Sequence, residues 1–445
     1  MNRATEHPEL HRAWPARLVC ALFALCVHGT SPAASAVDGE IIVRLRDQGE
    51  IAPLLVKHQL SLIGRFGSRP IYRLKVIGNA KVDDKINVLR REFDVRSAEP
   101  NAAYKGIEPD KNVGWAIGNP QPFAAQWAAQ AIRLAEAHSM STGVGVRVAV
   151  LDTGVDRQHP ALAGKLLPGF DFVDFDPDPF EVPSADTRFF GHGTHVAGLV
   201  ALVAPDARIM PLRVLDADGV GNAWVLAEAM LYAVDPDGNP DTDDGAHVIN
   251  LSLSSLAKTD VFKTVAKLVS CKNSSLGGKD ADDDDDDDDA AVTLGDKARC
   301  SGFAGAVVVA AAGNDGSDKL RAYPAGETSS ALLSVGASDR AGWLARFSNR
   351  GGWVKLAAPG EGITSTVPGG GYATWSGTSM AAPLVSGAAA LLRATDWSMP
   401  ADRLVKRLKD TGDKMCGTSM KQLDIAAALV DEHGHDKRDC KTTGN

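Results

Sequence analysis

The chain has 445 residues, 44% of them hydrophobic and 23% charged, so it can bury a large core, and its length suits about two or three domains. All but one unit of its formal net charge of −9 sits in a run of eight aspartates, Asp282 to Asp289. The remainder is nearly balanced and lacks the basic footprint of a nucleic-acid binder.

The amino terminus reads as an export signal. Arg12 and Arg17 precede the apolar stretch "LVCALFALCV", and the small residues Ala34 and Ala36 follow at the spacing of a cleavage site, giving a signal segment over residues 1–36. That stretch is too short to span a bilayer, and no later one could, so the sequence predicts a secreted, soluble chain, extracellular or periplasmic. Cys20 and Cys26 belong to the signal. The remaining cysteines, Cys271, Cys300, Cys416 and Cys440, are even in number, as suits an oxidising compartment. Of the possible pairings the simplest joins neighbours, Cys271 with Cys300 and Cys416 with Cys440, and free buried thiols are the alternative. The first bridge would close the loop that carries the aspartate run, and the chain-entropy model gives such a loop about 3 to 4 kcal/mol less any strain.

Residues 37–106 read as a small α+β module. "EIIVRLR" is a strand, "IAPLLVKHQLSL" an amphipathic helix, "PIYRLKVI" a strand, "VDDKINVLRREF" a second helix and "VRSAEPNAAYKG" a final extended piece. This order suggests a split βαβ, ferredoxin-like unit. Residues 107–123, rich in Pro, Gly and Asn, form a linker.

From Val144 the pattern changes. "VGVRVAVLD", "ARIMPLRVL", "HVINLSLS", "GAVVVAAAGN", "LLSVGAS" and "VKLAAPG" are short, continuously apolar runs with helical patterns between several of them. Strands buried on both faces and alternating with helices predict a mainly parallel central sheet in an α/β sandwich over residues 124–445. Ligands bind such sheets at the carboxyl ends of the strands, and there the polar residues gather. Asp152 ends one strand and Asn314 follows another, while His192 and Ser379 each open an apolar helix. A serine hydroxyl needs a base within hydrogen-bond reach, and the base needs an acid to fix its tautomer. Glycines around all three let a substrate backbone come close.

Here the chain resembles the subtilisin-like serine proteases, the subtilases. The resemblance rests on "DTGVD" at 152–156, "GHGTHVAG" at 191–198, "AAAGND" at 310–315 and "GTSMAAP" at 377–383, in the family's order. It implies a subtilisin-like sandwich whose Ser379 is the nucleophile of a serine endopeptidase, His192 its general base and Asp152 the partner of His192. Asn314 and the Ser379 N–H would form the oxyanion hole. Asp156, four residues on, lacks the Thr-Gly that follows the family's catalytic carboxylate. A lipase would carry its serine in Gly-x-Ser-x-Gly, whereas Ser379 lies in Gly-Thr-Ser-Met. His192 and His195 are spaced as helical zinc ligands, yet no third ligand stands nearby, and His195 reads as a packed core histidine.

The same resemblance implies a substrate cleft for protein or peptide chains. Ser252, Leu253 and Ser254 would form one wall of the specificity pocket, Ala311, Ala312 and Gly313 the other. Gly219 and Gly221 would lie on the edge that pairs with the substrate backbone. Ser254 and Ala322 replace glycines common in relatives, which narrows the pocket. The module at 37–106 becomes a prodomain, an inhibitor and folding aid whose "NAAYKG" end enters the cleft, with processing between Ala103 and Pro122. A retained structural domain is the alternative.

No cofactor is required for this chemistry. A structural calcium ion is implied at Asp171, Asp174, Asp176 and Asp178, where "GFDFVDFDPDP" resembles a calcium loop found before the histidine motif in some subtilases. "DPDGNPDTDDG", from Asp235 to Gly245, is a second acidic stretch with alternating carboxylates. The eight aspartates repel one another and resist burial, so the insertion at 271–300 reads as a solvated surface loop. A monomer is expected, and the competing reading is a non-catalytic secreted protein that binds calcium or a partner on a subtilase scaffold.

Overall fold

The computed structural model describes residues 36–46, 50–106, 116–117, 120–183, 189–272, 292–327 and 329–432. The export segment up to residue 35, most of the linker, the aspartate run and Cys440 lie outside the described residues.

The amino-terminal module runs strand Ala36–Leu45, helix Ile51–His58, strands Leu60–Arg65 and Ile71–Val76, helix Val82–Leu89 and strand Val95–Gly106. Its strands pair antiparallel, with Ala36–Leu45 between Val95–Gly106 and Ile71–Val76, and Leu60–Arg65 on the outer edge. This is the ferredoxin-like arrangement, with one strand more than the sequence pattern predicts. The first helix stops at His58 because Gln59 turns left-handed, at φ 52°, and closes the helix end with its N–H on Leu55 and Val56 carbonyls. Leu60–Arg65 then pairs along one edge only, and its mostly outward side chains carry too little alternation to betray a strand.

Period-two alternation gives the module two apolar faces. Ile41, Val43 and Leu45 pack with Leu54, Ile86 and Leu89 of its own helices. Ile42 joins Ile71, Tyr104 and Phe66 in a core shared with Trp224 and Phe262 of the larger region, where Phe66 stacks on Trp224 with ring centroids 4.0 Å apart. Polar groups of the last strand cap two helices there. The Glu99 carboxylate accepts the Asp260 and Val261 N–H groups, at 2.6 and 2.9 Å, and the Asn101 amide oxygen accepts the Trp224 N–H at 3.1 Å. Helix starts carry unsatisfied N–H groups, so these side chains supply acceptors that the helices themselves lack.

The larger region centres on parallel strands in the order Leu356–Pro359, Leu332–Ser338, Val307–Ala311, Val248–Leu251, Arg147–Asp152, Arg208–Arg213 and Phe170–Asp171. Alternate residues serve opposite layers. Val148, Val150, Val307 and Val309 face a core with helices His192–Val203 and Thr378–Thr395. Ala149, Leu151, Val308 and Ala310 face helices Ala223–Val234 and Asp260–Val269. Because the strands are parallel, Asp152, Leu251 and Ala311 all end at one edge of the sheet.

Cys271 and Cys300 are disulfide-bonded with Cα atoms 5.6 Å apart. Cys416 is also disulfide-bonded, and its expected partner, Cys440, lies outside the described residues.

Candidate active site

Asp152 is the last residue of its strand and His192 the first of its helix. The Asp152 Oδ1 lies 2.7 Å from His192 Nδ1 and accepts the Thr153 N–H at 2.8 Å, and both side chains are fully buried. The approach depends on Gly193: a Cβ there would stand 2.1 Å from the Gly154 oxygen and 3.1 Å from the Asp152 Cβ. With Nδ1 on a carboxylate, the imidazole proton resides on Nδ1 and Nε2 becomes the acceptor. Among the described residues, His192 Nε2 is buried without a hydrogen-bond partner. His195 is placed differently: its ring stacks on Trp375 at 4.4 Å and its Nε2 lies 3.1 Å from the Ala373 carbonyl, as a packed core histidine would.

Ser379 is the second residue of helix Thr378–Thr395 and is fully buried, with its Oγ 3.4 Å from the Ser252 carbonyl. Pro383 follows within the same helix. Proline has no N–H, so the Ser379 carbonyl loses its helical donor four residues on. The Ser252 hydroxyl takes that place, donating to the Ser379 oxygen at 3.0 Å, and is itself held by the Asn250 amide at 3.1 Å. The strand after Val248–Leu251 is thereby bonded to the first turn that carries Ser379.

Asn314 stands just beyond strand Val307–Ala311. Its amide oxygen accepts both the N–H and the hydroxyl of Thr378, at 2.9 Å each, which fixes Nδ2 as the end turned away from Thr378. The loop that delivers it is organised by buried Asn349, which accepts the Asp315 and Ser317 N–H groups and donates to the Ala312 carbonyl. Gly313 passes over that side chain at φ +96°, where a Cβ would stand 2.6 Å from Asn349 Nδ2.

The module's last strand lies between two edges of the larger region. On one side Ala103, Tyr104 and Lys105 pair with Asn222, Gly221 and Val220, and the Gly106 N–H donates to the Gly219 oxygen at 2.7 Å. On the other, Lys105 and Gly106 pair with Ser254 and Leu253. An extended peptide is thus held by main-chain bonds along both flanks. Ala311 and Ala312 are buried beside Gly313, and the Ala322 Cβ lies 3.3 Å from where a Gly313 Cβ would be, so Ala322 fills space at this wall.

The sequence pattern missed several residues here. Thr378, Asn349 and the second role of Ser252 act through neighbours remote in sequence. Glu181 is the largest omission: it is 1% exposed and accepts four hydrogen bonds from Thr153, Gly191 and Thr194, residues on either side of the Asp152–His192 pair.

The acidic loop at 171–178 is not gathered around one point. Arg213 Nη1 bonds the buried Asp171 at 2.6 Å and also Asp174, while Arg157 pairs with Asp178 at 3.0 Å and Asp176 Oδ1 accepts the Asp178 N–H. Among the described residues, the acidic group whose carboxylate oxygens converge, within 4.8 Å of one another, is Asp235, Asp237 and Asp244 in the second acidic stretch. Burial and mutual repulsion hold Asp235 and Asp244 above the usual carboxylate range. Oxygen donors of this kind suit a hard cation.

No helix among the described residues is long and apolar enough to cross a membrane. Residues 143–433 match the subtilase family model, and residues 27–101 match the model of the fervidolysin N-terminal prodomain. A thermophilic serine proteinase of Bacillus sp. (strain AK1) is 33% identical over 86% of this chain and 84% of its own. Thermitase of Thermoactinomyces vulgaris is 36% identical over 67% of this chain and 92% of its own. Among solved structures, fervidolysin from Fervidobacterium pennivorans, described as a keratinolytic enzyme related to subtilisin, superposes with a TM-score of 0.67 at 23% identity. That alignment covers 90% of this chain and 62% of fervidolysin. A protease from Pseudoalteromonas arctica superposes with a TM-score of 0.56 at 28% identity, over 73% of this chain and 99% of its own. With its parallel sheet, its buried Asp152–His192 pair and its ferredoxin-like prodomain, the chain belongs to the subtilase family and is a subtilisin-like serine endopeptidase.

Proposed function

We propose that the chain is a secreted endopeptidase made as an autoinhibited precursor, acting through Ser379, His192 and Asp152. The observation that carries this reading is the strand Val95–Gly106, an extended peptide bonded on both flanks by Val220–Asn222 and Leu253–Ser254. It occupies the place of a substrate, so we assign residues 37–106 as the prodomain, 107–123 as the linker that is cut and 124–445 as the enzyme. Gly219, Gly221 and Ser252–Ser254 would then pair with the substrate backbone, and Ala311–Gly313 would line the pocket before the scissile bond.

In the proposed reaction the Ser379 oxygen attacks the scissile carbonyl carbon and its proton passes to His192 Nε2. Asp152 holds the ring and stabilises the imidazolium formed. The negative charge on the former carbonyl oxygen is taken by Asn314 Nδ2 and the Ser379 N–H, helped by the positive end of the Thr378–Thr395 helix. Collapse breaks the C–N bond, the amine leaves with the proton from His192, and water repeats the sequence on the acyl-enzyme.

Hydrolysis of an unfolded protein by the processed chain, abolished by a serine-directed fluorophosphonate, tests this reading; a folded, processed chain without such activity would contradict it. Asn314→Ala is expected to lower kcat by roughly 10²- to 10³-fold with KM changed little, because an oxyanion donor acts mainly in the transition state. Steady-state kinetics on a peptide substrate check this.

The prodomain's grip should depend on pH. Burial, opposed by the Val261 and Asp260 N–H bonds, pushes the Glu99 carboxyl up to about 8 in the assembled chain. The assembled form therefore holds a proton more tightly than the released prodomain, and association weakens as pH climbs from the ordinary glutamate range through about 8. The inhibition constant of the cleaved prodomain should rise by roughly tenfold per pH unit at most in this window. Glu99→Gln should flatten that dependence.

A further inference from the structure

Glu181 lies in the segment leading to the His192 helix and touches neither the cleft strand nor Ser379 in any observed bond. Its four hydrogen bonds all come from the two chain segments that hold Asp152 and His192. Oε1 receives the Thr153 hydroxyl at 2.5 Å and the Gly191 N–H at 3.0 Å. Oε2 receives the Thr194 N–H at 3.1 Å and the Thr194 hydroxyl at 2.7 Å.

The direction of each bond is fixed. The Thr153 oxygen already accepts the Gly193 N–H at 3.0 Å, and the Thr194 oxygen already accepts the Asp156 N–H at 2.9 Å. Each hydroxyl hydrogen is therefore free to point at Glu181, and the two remaining partners are backbone N–H groups that can only donate. Four donors meet the carboxyl and no acceptor does. A protonated carboxyl would turn its own O–H toward a donor, so this cradle fits a carboxylate.

We propose that Glu181, as a carboxylate, is a positioning residue for the reaction: it clamps the strand end bearing Asp152 to the helix start bearing His192 and keeps the pair aligned. The inference rests on the assignment of Asp152 and His192 to proton transfer. Thr153 carries the connection to Asp152, since its N–H donates to Asp152 Oδ1. Gly191 and Thr194 carry it to His192, one residue before and two after.

The titratable groups around Glu181 are Asp152 on the strand, Asp156 on the next loop, and His192 and His195 on the helix. Asp156 is engaged by the Gln158 and Gly369 N–H groups, and on the segment of Glu181 itself Asp178 pairs with Arg157. Burial, opposed by the bonds from Thr153 and Thr194 and reinforced by the Asp152 charge, pushes the Glu181 carboxyl up to about 7. Since this lies above the ordinary value of 4.5, the fold loses stability as pH rises from 4.5 to about 7 and Glu181 ionises. The cradle is thus kept at a cost to stability. As pH falls through that window the carboxylate takes a proton, a donor must leave, and the clamp loosens. Protonation of His192 then has a second protonation beside it on the acid side.

The test compares wild type, Ser379→Ala, Glu181→Gln and Glu181→Asp over roughly pH 4 to 9. In wild type, log kcat/KM should fall with a slope approaching two on the acid side. Glu181→Gln should lower kcat by about ten- to a hundredfold with KM within about twofold, and its acid slope should return to one. Glu181→Asp, which keeps the charge, should recover part of kcat and the steeper slope. Glu181→Gln with wild-type kcat and acid limb overturns the proposal while leaving the triad intact. Should that variant fail to fold, the wild-type slope decides: two supports the clamp and one contradicts it. Turnover that survives Ser379→Ala would remove the triad assignment, and this inference with it.

Discussion

Ser379→Ala is expected to lower kcat/KM by roughly 10⁶-fold, the order of loss that subtilisin suffers when its serine is removed. The variant keeps the fold, because the Ser379 contribution to its surroundings runs through the main chain: the carbonyl that Ser252 bonds is still present after the change. The oxyanion donors and the cleft also remain, so peptide binding should change little while the nucleophile is gone. Residual hydrolysis would come from Asn314 and substrate positioning acting on water. If processing is done by the chain itself, the variant should also accumulate as an uncut precursor. Peptide kinetics and the mass of the purified variant check both points.

Asp152→Asn is expected to cost roughly 10⁴-fold in kcat. Oδ1 accepts the Thr153 N–H, so an asparagine there would keep its oxygen at that position and present little that His192 Nδ1–H can use. With its amide turned the other way, it would place a donor against Nδ1 and hold the imidazole in the tautomer that protonates Nε2. Either outcome removes the base. Because the Asp152 charge helps raise the Glu181 carboxyl, the same variant should let Glu181 titrate at lower pH. The kcat loss with KM nearly constant, measured above neutral pH, separates this effect from damage to the cleft.

The reacting residues are legible in the sequence because their chemistry limits the residue types and the flanking glycines. Gly193 and Gly313 mark close approaches that a Cβ would block, and they lie inside "GHGTHVAG" and "AAAGND". The parallel sheet is equally plain in its continuous apolar runs. Features that depend on remote partners are not legible. The carboxylates of Asp171 and Asp174 read as a cation loop, yet Arg213 from a neighbouring strand neutralises them, and nothing local announces that arginine. Leu60–Arg65 reads as helix because the left-handed turn at Gln59 is a backbone event without a glycine to signal it. Glu181 lies ten residues before Gly191 in an irregular segment, and only the folding back of that segment brings it to Thr153 and Thr194.

Labelling the processed chain with a fluorophosphonate and mapping the adduct by mass spectrometry tests the central claim most directly, since the reagent reports an activated serine without requiring the natural substrate. The account predicts one stoichiometric adduct on Ser379, lost in Ser379→Ala and slowed severely in Asp152→Asn. An adduct on another serine, or none on a folded and processed chain, would contradict it.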